Sequence, residues 1–213
     1  MKKVSKTILF VSIGVAICDA LCIAFCVWSA LTDFAEPQYT LMIVFINFGY
    51  HFTYRPIVGF IVKAFGNKVN VESKTYRIKS AETKRLEKIG IKKWKDALPA
   101  WDRDSFVLTL ADIKSADKLQ LALRGNICAE IVHHTNFFLS FATCFLAFVP
   151  TLRPLWYVFF VTGFVTAIVA DLPYILIQRY NRFRLLALYE RAKKAETLKK
   201  GSDKETKTET QSA

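Results

Sequence analysis

Histidine and cysteine, on which most protein metal sites and disulfide frameworks depend, are scarce in this chain. Three histidines and five cysteines occur among 213 residues, and no two cysteines form a C-x-x-C pair. Three histidines are too few for the histidine-rich metal sites of membrane enzymes, and the cysteine pattern implies no disulfide framework. We predict no metal site and no permanently bound cofactor.

The sequence also lacks the short motifs of the common soluble enzymes. It contains no G-x-S-x-G nucleophile elbow, no P-loop and no G-x-G-x-x-G dinucleotide fingerprint. Any chemistry would therefore use polar side chains placed within apolar segments.

Cys18, Cys22 and Cys26 recur every four residues, and we interpret them as small residues at a helix–helix contact.

Apolar sequence is abundant: 53% of the residues are apolar and 18 are Phe. These residues concentrate in about four blocks, each near the ~20 residues that a membrane-spanning helix requires. The first block is longer than the core of a signal peptide, about 7–15 residues, so we interpret it as an uncleaved helix. We predict an all-α integral membrane bundle forming one domain over 1–200, with about four spans (8–31, 39–62, 130–149, 155–177), an interfacial or cytoplasmic segment over 63–129, and a disordered tail over 201–213.

Positive charge alternates with the apolar blocks. The net charge of +12 would by itself favour nucleic-acid binding. However, three lysines precede the first block, fifteen Lys and Arg lie between residues 63 and 124, and only Arg153 lies in the link after the third block. This is the positive-inside pattern. We predict a multi-pass protein of the cell membrane with both termini in the cytoplasm, membrane lipids as partners and no nucleic acid.

The basic central segment contains a short amphipathic pattern. Gly90 is suited to end a preceding charged helix. Ile91, Trp94 and Leu98 then recur at helical spacing beside several lysines. This spacing predicts a helix lying in the headgroup layer, with Trp94 as its interfacial anchor.

A longer helical pattern leads into the third apolar block. Ser115 is a suitable N-cap, because its hydroxyl can accept a hydrogen bond from a free N–H of the first turn. Gly125 is a candidate break in this helix.

Asn47, His51 and Arg55 recur every four residues and therefore share one face of the second predicted span. An Arg within a membrane is costly unless it is paired or reaches the interface. Arg55 therefore either extends towards the cytoplasmic surface or pairs, with Asp19 of the first span as a candidate partner. We take His51 and Arg55 as candidate substrate-binding residues.

Glu130 reaches both His133 and His134, at i+3 and i+4 of the helix. A carboxylate beside an imidazole is the orienting pair of general-base catalysis, because the acid fixes the tautomer and stabilises the cation that forms. Two alternatives are a buried polar contact that fixes helix register and a metal site, although di-iron bundles need the Glu-x-x-His motif twice. We assign Glu130 and His133 as candidate catalytic residues and His134 as a candidate substrate-binding residue.

The most informative segment lies where the fourth block ends. Asp171 stands inside the apolar run, and Pro173 frees a backbone carbonyl, as occurs where a membrane helix lines a site. Five consecutive hydrogen-bond donors follow, more than an anchor needs, and they favour a site for an anionic or sugar-like group. With Asp171, the candidate binding residues are Gln178, Arg179, Tyr180, Asn181 and Arg182.

Three segments resemble those of the glycosyl-4,4'-diaponeurosporenoate acyltransferase family. Residues 90–99 (GIKKWKDALP) resemble its GI-K-x-W-K-D-x-L-P segment, and residues 129–133 (AEIVH) resemble its A-E-x-x-H segment. Residues 172–182 (LPYILIQRYNR) resemble its L-P-x-x-x-I-Q-R-Y-N-R segment, and Asp171 stands where that segment is preceded by Asn. The order and approximate spacing agree from about residue 89 to residue 185.

This resemblance implies a small bacterial membrane protein that moves a fatty acyl chain onto the sugar of a glycosylated carotenoid. It also implies that Glu130, His133 and residues 178–182 form the site. The lysine-rich segment becomes a cytoplasmic motif, of which Trp94, Lys95 and Asp96 are candidate substrate-binding residues.

We therefore expect a membrane-embedded acyltransferase that uses acyl-CoA or acyl carrier protein as co-substrate. The acceptor would be a hydroxyl of a lipid-like molecule, such as a glycosylated carotenoid or a glycolipid. His133, oriented by Glu130, would take the hydroxyl proton, and Arg179 and Arg182 would hold a phosphate or the developing oxyanion. The alternative is a non-catalytic lipid-binding or lipid-moving protein, or an accessory subunit, that binds a headgroup with the same residues.

Overall fold

The computed structural model is mostly helical in the part of the chain that it describes, and no strand occurs there. The α-helices are α1 (Glu36–Phe65), α2 (Ser80–Lys88), α3 (Ile91–Trp94), α4 (Ala116–Leu139), α5 (Trp156–Thr166) and α6 (Leu172–Gln211). The described residues are 13–14, 16–17, 19–21, 23–24, 27–28, 31, 36–95, 97–98, 115–150 and 153–211. Cys18, Cys22, Cys26 and Asp96 lie outside them.

The chain divides into two compact units. Unit 1 comprises Met1–Ala64 and Ile131–Ile175, and unit 2 comprises Phe65–Glu130 and Leu176–Ala213. The boundary falls inside α4 and inside α6, so both helices contribute residues to both units. Each unit is described below by itself.

Unit 1 has its polar side chains inside and its large apolar side chains outside. Asn47, Ser140 and Asp171 are fully buried, whereas Phe60, Phe145 and Phe148 each expose more than 70% of their surface. A soluble domain shows the opposite arrangement, because burying apolar surface is its main driving force. An apolar outer surface around polar helix contacts is typical of helices packed in lipid.

Two helical segments in the described residues are long and apolar enough to cross a membrane, namely Ala116–Phe148 and Arg153–Leu198. They include the third predicted span up to residue 148 and the whole of the fourth. Together with the apolar exterior of unit 1, they favour a membrane location. The predicted total of four spans stays a prediction.

Unit 1 depends on a close approach between α5 and the end of α4. A Cβ atom added at Gly163 would lie 2.5 Å from the backbone oxygen of Ser140. Only glycine therefore allows this contact without a backbone shift. The apolar side chains of Ile43, Val158 and Phe159 pack together nearby in the same unit.

Unit 2 has a small apolar core in which α2 and α3 pack on α6. Leu86, Ile91 and Tyr180 form its buried cluster. Gly90 joins α2 to α3 with a φ of 73°, a left-handed conformation that favours glycine. The prediction that Gly90 ends the charged helix is confirmed.

The predicted interfacial helix is shorter and more buried than expected. It has only four residues, and Ile91 is completely buried. Trp94 packs on the same apolar cluster, and its Nε1 donates a hydrogen bond to the backbone oxygen of Ile89 at 3.3 Å. The apolar face therefore meets protein at Ile91, and Trp94, which is half-buried, stays a predicted headgroup anchor.

Two further expectations differ from the structure. The helix that begins after Ser115 runs through Gly125 to Leu139 without a break, since one glycine weakens a helix but does not end it. The N-cap assignment is confirmed, because Ser115 Oγ accepts from the backbone N of Lys118 at 3.4 Å. The tail expected to be disordered is helical to Gln211, consistent with its many Lys and Glu residues, which are good helix formers.

Candidate functional site

The buried carboxylate of Asp171 is the centre of the polar groups in unit 1. Arg55 Nη1 donates to Asp171 Oδ1 at 2.9 Å, and Arg55 Nη2 donates to Oδ2 at 2.7 Å. His133 Nδ1 lies 3.3 Å from the same Oδ1. One carboxylate with no exposed surface therefore holds a guanidinium and an imidazole.

A local change in helix geometry places this carboxylate. Pro173 has no N–H, so it cannot donate to a carbonyl in the preceding turn. The chain forms a π-helical turn over Ala167–Asp171, in which the N–H of Leu172 bonds to the oxygen of Ala167. Such widened turns often occur at functional sites, because they redirect single side chains. Asp171 is the last residue of this turn.

The imidazole of His133 is held from two directions. Its ring stacks on the ring of Tyr174, with centroids 4.8 Å apart and an interplanar angle of 9°. A carboxylate can only accept hydrogen bonds, so Asp171 favours the tautomer with the proton on Nδ1. Nε2 is then the basic nitrogen, and it has no hydrogen-bond partner among the described residues.

Further buried polar groups lie between α1 and α4 in unit 1. The hydroxyl of Tyr54 donates to the backbone oxygen of Asn136 at 3.0 Å and lies 3.0 Å from Ser140 Oγ. His51 Nδ1 lies 3.4 Å from the same hydroxyl. Within the described part of the chain, four buried side-chain atoms of this unit have no partner: Asn47 Oδ1, His51 Nε2, Asn136 Oδ1 and Thr143 Oγ1.

The ion pair of Arg55 corrects one sequence-based expectation. Asp19, proposed as a partner of Arg55, accepts a hydrogen bond from Thr53 Oγ1 at 2.7 Å. Arg55 pairs with Asp171, 116 residues away in the sequence. Nothing in the local pattern distinguishes these two carboxylates, since each lies alone in an apolar block.

In unit 2, Glu130 lies between two arginines. Arg179 Nη1 donates to Glu130 Oε1 at 2.9 Å, and Arg182 Nη2 donates to Oε2. Arg179 also binds Glu82 through two bonds, from Nη2 to Oε2 at 3.0 Å and from Nε to Oε1. The sequence assigned Glu130 to orient His133, but the carboxylate that the structure places on His133 Nδ1 is that of Asp171.

Amide side chains complete this network. Arg182 Nε donates to Asn126 Oδ1 at 3.0 Å, and Asn126 Nδ2 donates to Gln178 Oε1. Arg182 is only 2% exposed, and its Cζ lies 5.8 Å from the centre of the Tyr76 ring. The charges of the two arginines and the two glutamates balance. We therefore call these four charged residues and two amides the ion network.

The ion network also sets the electrostatics of Glu82. The hydrogen bond from Arg179 holds the pKa of Glu82 below its usual range, against the opposing effect of partial burial. Glu82 lies on α2, where it is one of several charges in a basic segment. No sequence signal distinguishes it, so it is a site residue that sequence reasoning missed. Tyr174 was missed for the same reason.

The remaining candidate residues from the sequence belong neither to the polar groups around Asp171 nor to the ion network. Tyr180 is buried in the apolar cluster of unit 2, with Lys95 Nζ 5.9 Å from its ring centre. Asn181 and His134 are half-buried on α6 and α4. No group of three His, Cys, Asp or Glu side chains arranged to hold a metal ion occurs in the described part of the chain.

Comparison with known proteins gave one match. A sequence model of a family described as glycosyl-4,4'-diaponeurosporenoate acyltransferase matches residues 70–191, which is more than half of the chain. No curated protein and no solved structure matches significantly.

Proposed function

Because the chain belongs to the glycosyl-4,4'-diaponeurosporenoate acyltransferase family, we propose that it moves a fatty acyl group from a thioester donor to a hydroxyl of a lipid-like acceptor. The observation that supports this most directly is the contact of His133 Nδ1 with the buried carboxylate of Asp171. An imidazole oriented by a carboxylate, with its second nitrogen unoccupied, has the arrangement of a general base.

In the proposed reaction, His133 Nε2 takes the proton of the acceptor hydroxyl as its oxygen attacks the thioester carbonyl. The tetrahedral intermediate collapses and its C–S bond breaks. The leaving thiolate takes the proton from His133, so an ester and a free thiol are formed. Asp171 stabilises the imidazolium between these two steps and does not itself need to be protonated.

The polar interior of unit 1 fits a glycosylated acceptor, which is the acceptor named in the family description. Buried polar atoms without partners are costly, because they lose hydrogen bonds to water and gain none in return. His51 Nε2, Asn47 Oδ1 and Asn136 Oδ1 are such atoms among the described residues. A hydroxyl-rich headgroup would supply the missing partners. A glycosylated carotenoid or a glycolipid is therefore the acceptor class we propose.

The ion network argues against one sequence-based role. Each guanidinium of Arg179 and Arg182 already faces a carboxylate, and Arg182 is almost completely buried. A phosphate or an oxyanion would have to displace Glu130 from Arg182, and Glu82 or Glu130 from Arg179. We therefore assign the ion network to structure and place the donor elsewhere.

We also propose a multi-pass topology with both termini in the cytoplasm, the side on which acyl-CoA and acyl carrier protein occur. Its support is the alternation of Lys and Arg with the apolar blocks.

The experiment is acyl transfer by membranes that contain the His133→Gln variant. We expect about 10²–10⁴-fold slower transfer of a labelled acyl group into lipid, the usual contribution of a general base. Lys194→Gln, a change at an exposed position of α6, is the control for expression and extraction. Transfer by His133→Gln at the wild-type rate would remove the base assignment. A wild-type protein that binds lipid but transfers nothing would favour the non-catalytic lipid-binding alternative.

A further inference from the structure

Unit 2 contains a cavity of about 340 Å³ on the α2 and α3 side of α6. Its wall combines two cations, one carboxylate, two hydroxyl groups and two aromatic rings. The lining residues are Thr83, Glu87, Lys92, Tyr180, Phe183 and Arg184. None of them belongs to the ion network, so the cavity is a separate feature of this unit.

One of the residues that line the cavity, Thr83, has a hydroxyl without a hydrogen-bond partner among the described residues. Thr83 is only 7% exposed. A helical Thr usually satisfies its hydroxyl on the carbonyl one turn earlier. A buried hydroxyl without a partner loses free energy that a ligand oxygen could restore. Thr83 can donate its proton to such an oxygen.

The cations of the cavity are able to exchange their partners. Lys92 Nζ lies 2.8 Å from Glu87 Oε1, and both side chains are exposed. The hydrogen bond to Glu87 raises the pKa of Lys92, so the ammonium stays charged at neutral pH. Exposed ion pairs contribute little net free energy, so a more highly charged anion can replace Glu87. Arg184 supplies a second cation on the same wall.

We propose that this cavity binds the phosphate-bearing end of the acyl donor, either in coenzyme A or in the phosphopantetheine arm of acyl carrier protein. Lys92 and Arg184 pair with the phosphate, and Thr83 Oγ1 donates to one of its oxygens. Tyr180 and Phe183 offer an apolar wall to the uncharged part of the ligand. This inference rests on the proposed function, since it names the donor site of that same reaction.

The volume of the cavity is sufficient for part of this ligand. Small-molecule sites usually occupy about 300–1,000 Å³, and this cavity lies at the lower end of that range. It accommodates a phosphate with its neighbouring groups rather than a whole coenzyme. The rest of the donor would extend out of the open side of the cavity.

The test is calorimetric titration of the purified full-length protein in a neutral detergent with coenzyme A. Lys92→Ala should weaken binding about tenfold, the size of one charge-assisted hydrogen bond. Lys84→Ala removes the same charge from an exposed position on α2 outside the cavity and should leave the affinity within about twofold. Equal affinities for Lys92→Ala and Lys84→Ala would overturn the proposal.

Two variants separate this role from a structural one. Glu87→Gln removes the competing carboxylate, so coenzyme A should bind several-fold more tightly. Thr83→Val keeps the shape but removes the unpartnered hydroxyl, so binding should weaken while the thermal midpoint does not fall. A lower thermal midpoint with unchanged affinity would make the hydroxyl structural and contradict the proposal.

Anionic lipid is the other source of the same phosphate chemistry, and a second titration tests it. Detergent micelles containing phosphatidylglycerol replace coenzyme A as the probe. If Lys92→Ala weakens phosphatidylglycerol binding and leaves coenzyme A binding unchanged, the cavity is a headgroup site and the proposal fails.

The binding assays also keep this inference apart from the proposed reaction. If coenzyme A binds in the cavity but no variant or wild-type protein transfers acyl groups, the proposed function fails and only the phosphate-binding site for coenzyme A stands. If His133→Gln abolishes transfer while Lys92→Ala has a normal KM for the donor, the reaction stands and the donor site fails.

Discussion

The two units hold their paired charges in different ways. In unit 2, Arg179 and Arg182 are matched by Glu82 and Glu130, and the amide oxygen of Asn126 accepts a further N–H of Arg182. In unit 1, Asp171 is matched by Arg55 and also holds His133, whose Nε2 has no partner among the described residues. The first arrangement leaves no group to exchange a proton, whereas the second leaves one.

This difference indicates which polar cluster performs chemistry. A charged residue that is fully paired in a buried network mainly fixes the positions of its helices, because any displacement leaves a charge uncompensated. A base must instead have a free nitrogen and a neighbour that stabilises its protonated form. Of the two clusters, only that of unit 1 has a free nitrogen and a neighbouring carboxylate among the described residues. Residues 178–182 of unit 2 nevertheless contain more hydrogen-bond donors.

The largest expected effect comes from Asp171→Leu. The variant removes the carboxylate that orients His133 and leaves the partly buried charge of Arg55 without its partner. We expect activity to fall by about 10²–10⁴-fold, as for loss of a general base, and the protein to lose about 3–5 kcal/mol of stability. Acyl-transfer rates and thermal midpoints in detergent measure the two effects.

A second substitution separates the two roles of Asp171. In Asp171→Leu/Arg55→Met the buried charge is gone, so most of the stability should return while activity stays low. Asp171→Asn keeps the shape of the side chain but lacks the charge that stabilises the imidazolium, and its amide N–H can hold the other tautomer of His133, so its activity should be about as low as that of Asp171→Leu. If the double variant regains activity together with stability, Asp171 is purely structural and the contrast between the units disappears.

The matching experiment in unit 2 is Arg182→Met. It leaves Glu130 with one arginine and Asn126 Oδ1 without its donor. Removing one member of a buried ion pair typically costs about 3–5 kcal/mol, so the thermal midpoint should fall by several degrees. Arg191→Met, at an exposed position of the same helix, is the control and should change stability by less than about 0.5 kcal/mol.

A double variant tests whether the ion network is structural. Arg182→Met/Glu130→Gln removes one charge of each sign and should be more stable than Arg182→Met alone. Because the ion network has no assigned part in proton transfer, the specific activity of the folded fraction should remain close to wild type in both variants. Loss of activity in a variant that has regained its stability would show that Glu130 takes part in the reaction.

The sequence was sufficient for the features that depend on local pattern. The helical class, the N-cap at Ser115, the turn at Gly90 and the family were all predicted correctly. Each depends on residues that are neighbours in the chain or on a short motif. The third and fourth predicted spans overlap longer helical segments of suitable length and hydropathy.

The partners of the charged residues were not predictable, because they come from different helices. Glu130 lies one turn from His133, and this proximity suggested that the two residues form the catalytic pair. The π-turn before Pro173 and the packing of α1 in unit 1 bring Asp171 to His133 instead. Glu82 meets Arg179 across 97 residues. The division into two units also has no sequence marker, since its boundary falls within continuous helices.

The smallest predicted effect concerns the exposed edge of the ion network, where Glu82 binds Arg179. The pKa of Glu82 is lowered from 4.5, so its stabilising contribution is complete above that value and is lost as the pH falls through the lower, folded-state pKa. The side chain is one-third exposed, so solvent screening limits the contribution to under about 1 kcal/mol. In Glu82→Gln, the thermal midpoint should be slightly lower at pH 7, and the difference from wild type should vanish in the acid range.

High salt should reduce this difference in thermal midpoint at pH 7, as for any screened ion pair. A difference that grows on acidification would mean that Arg179 does not stabilise the charged form of Glu82, and that the ion network ends at Glu130.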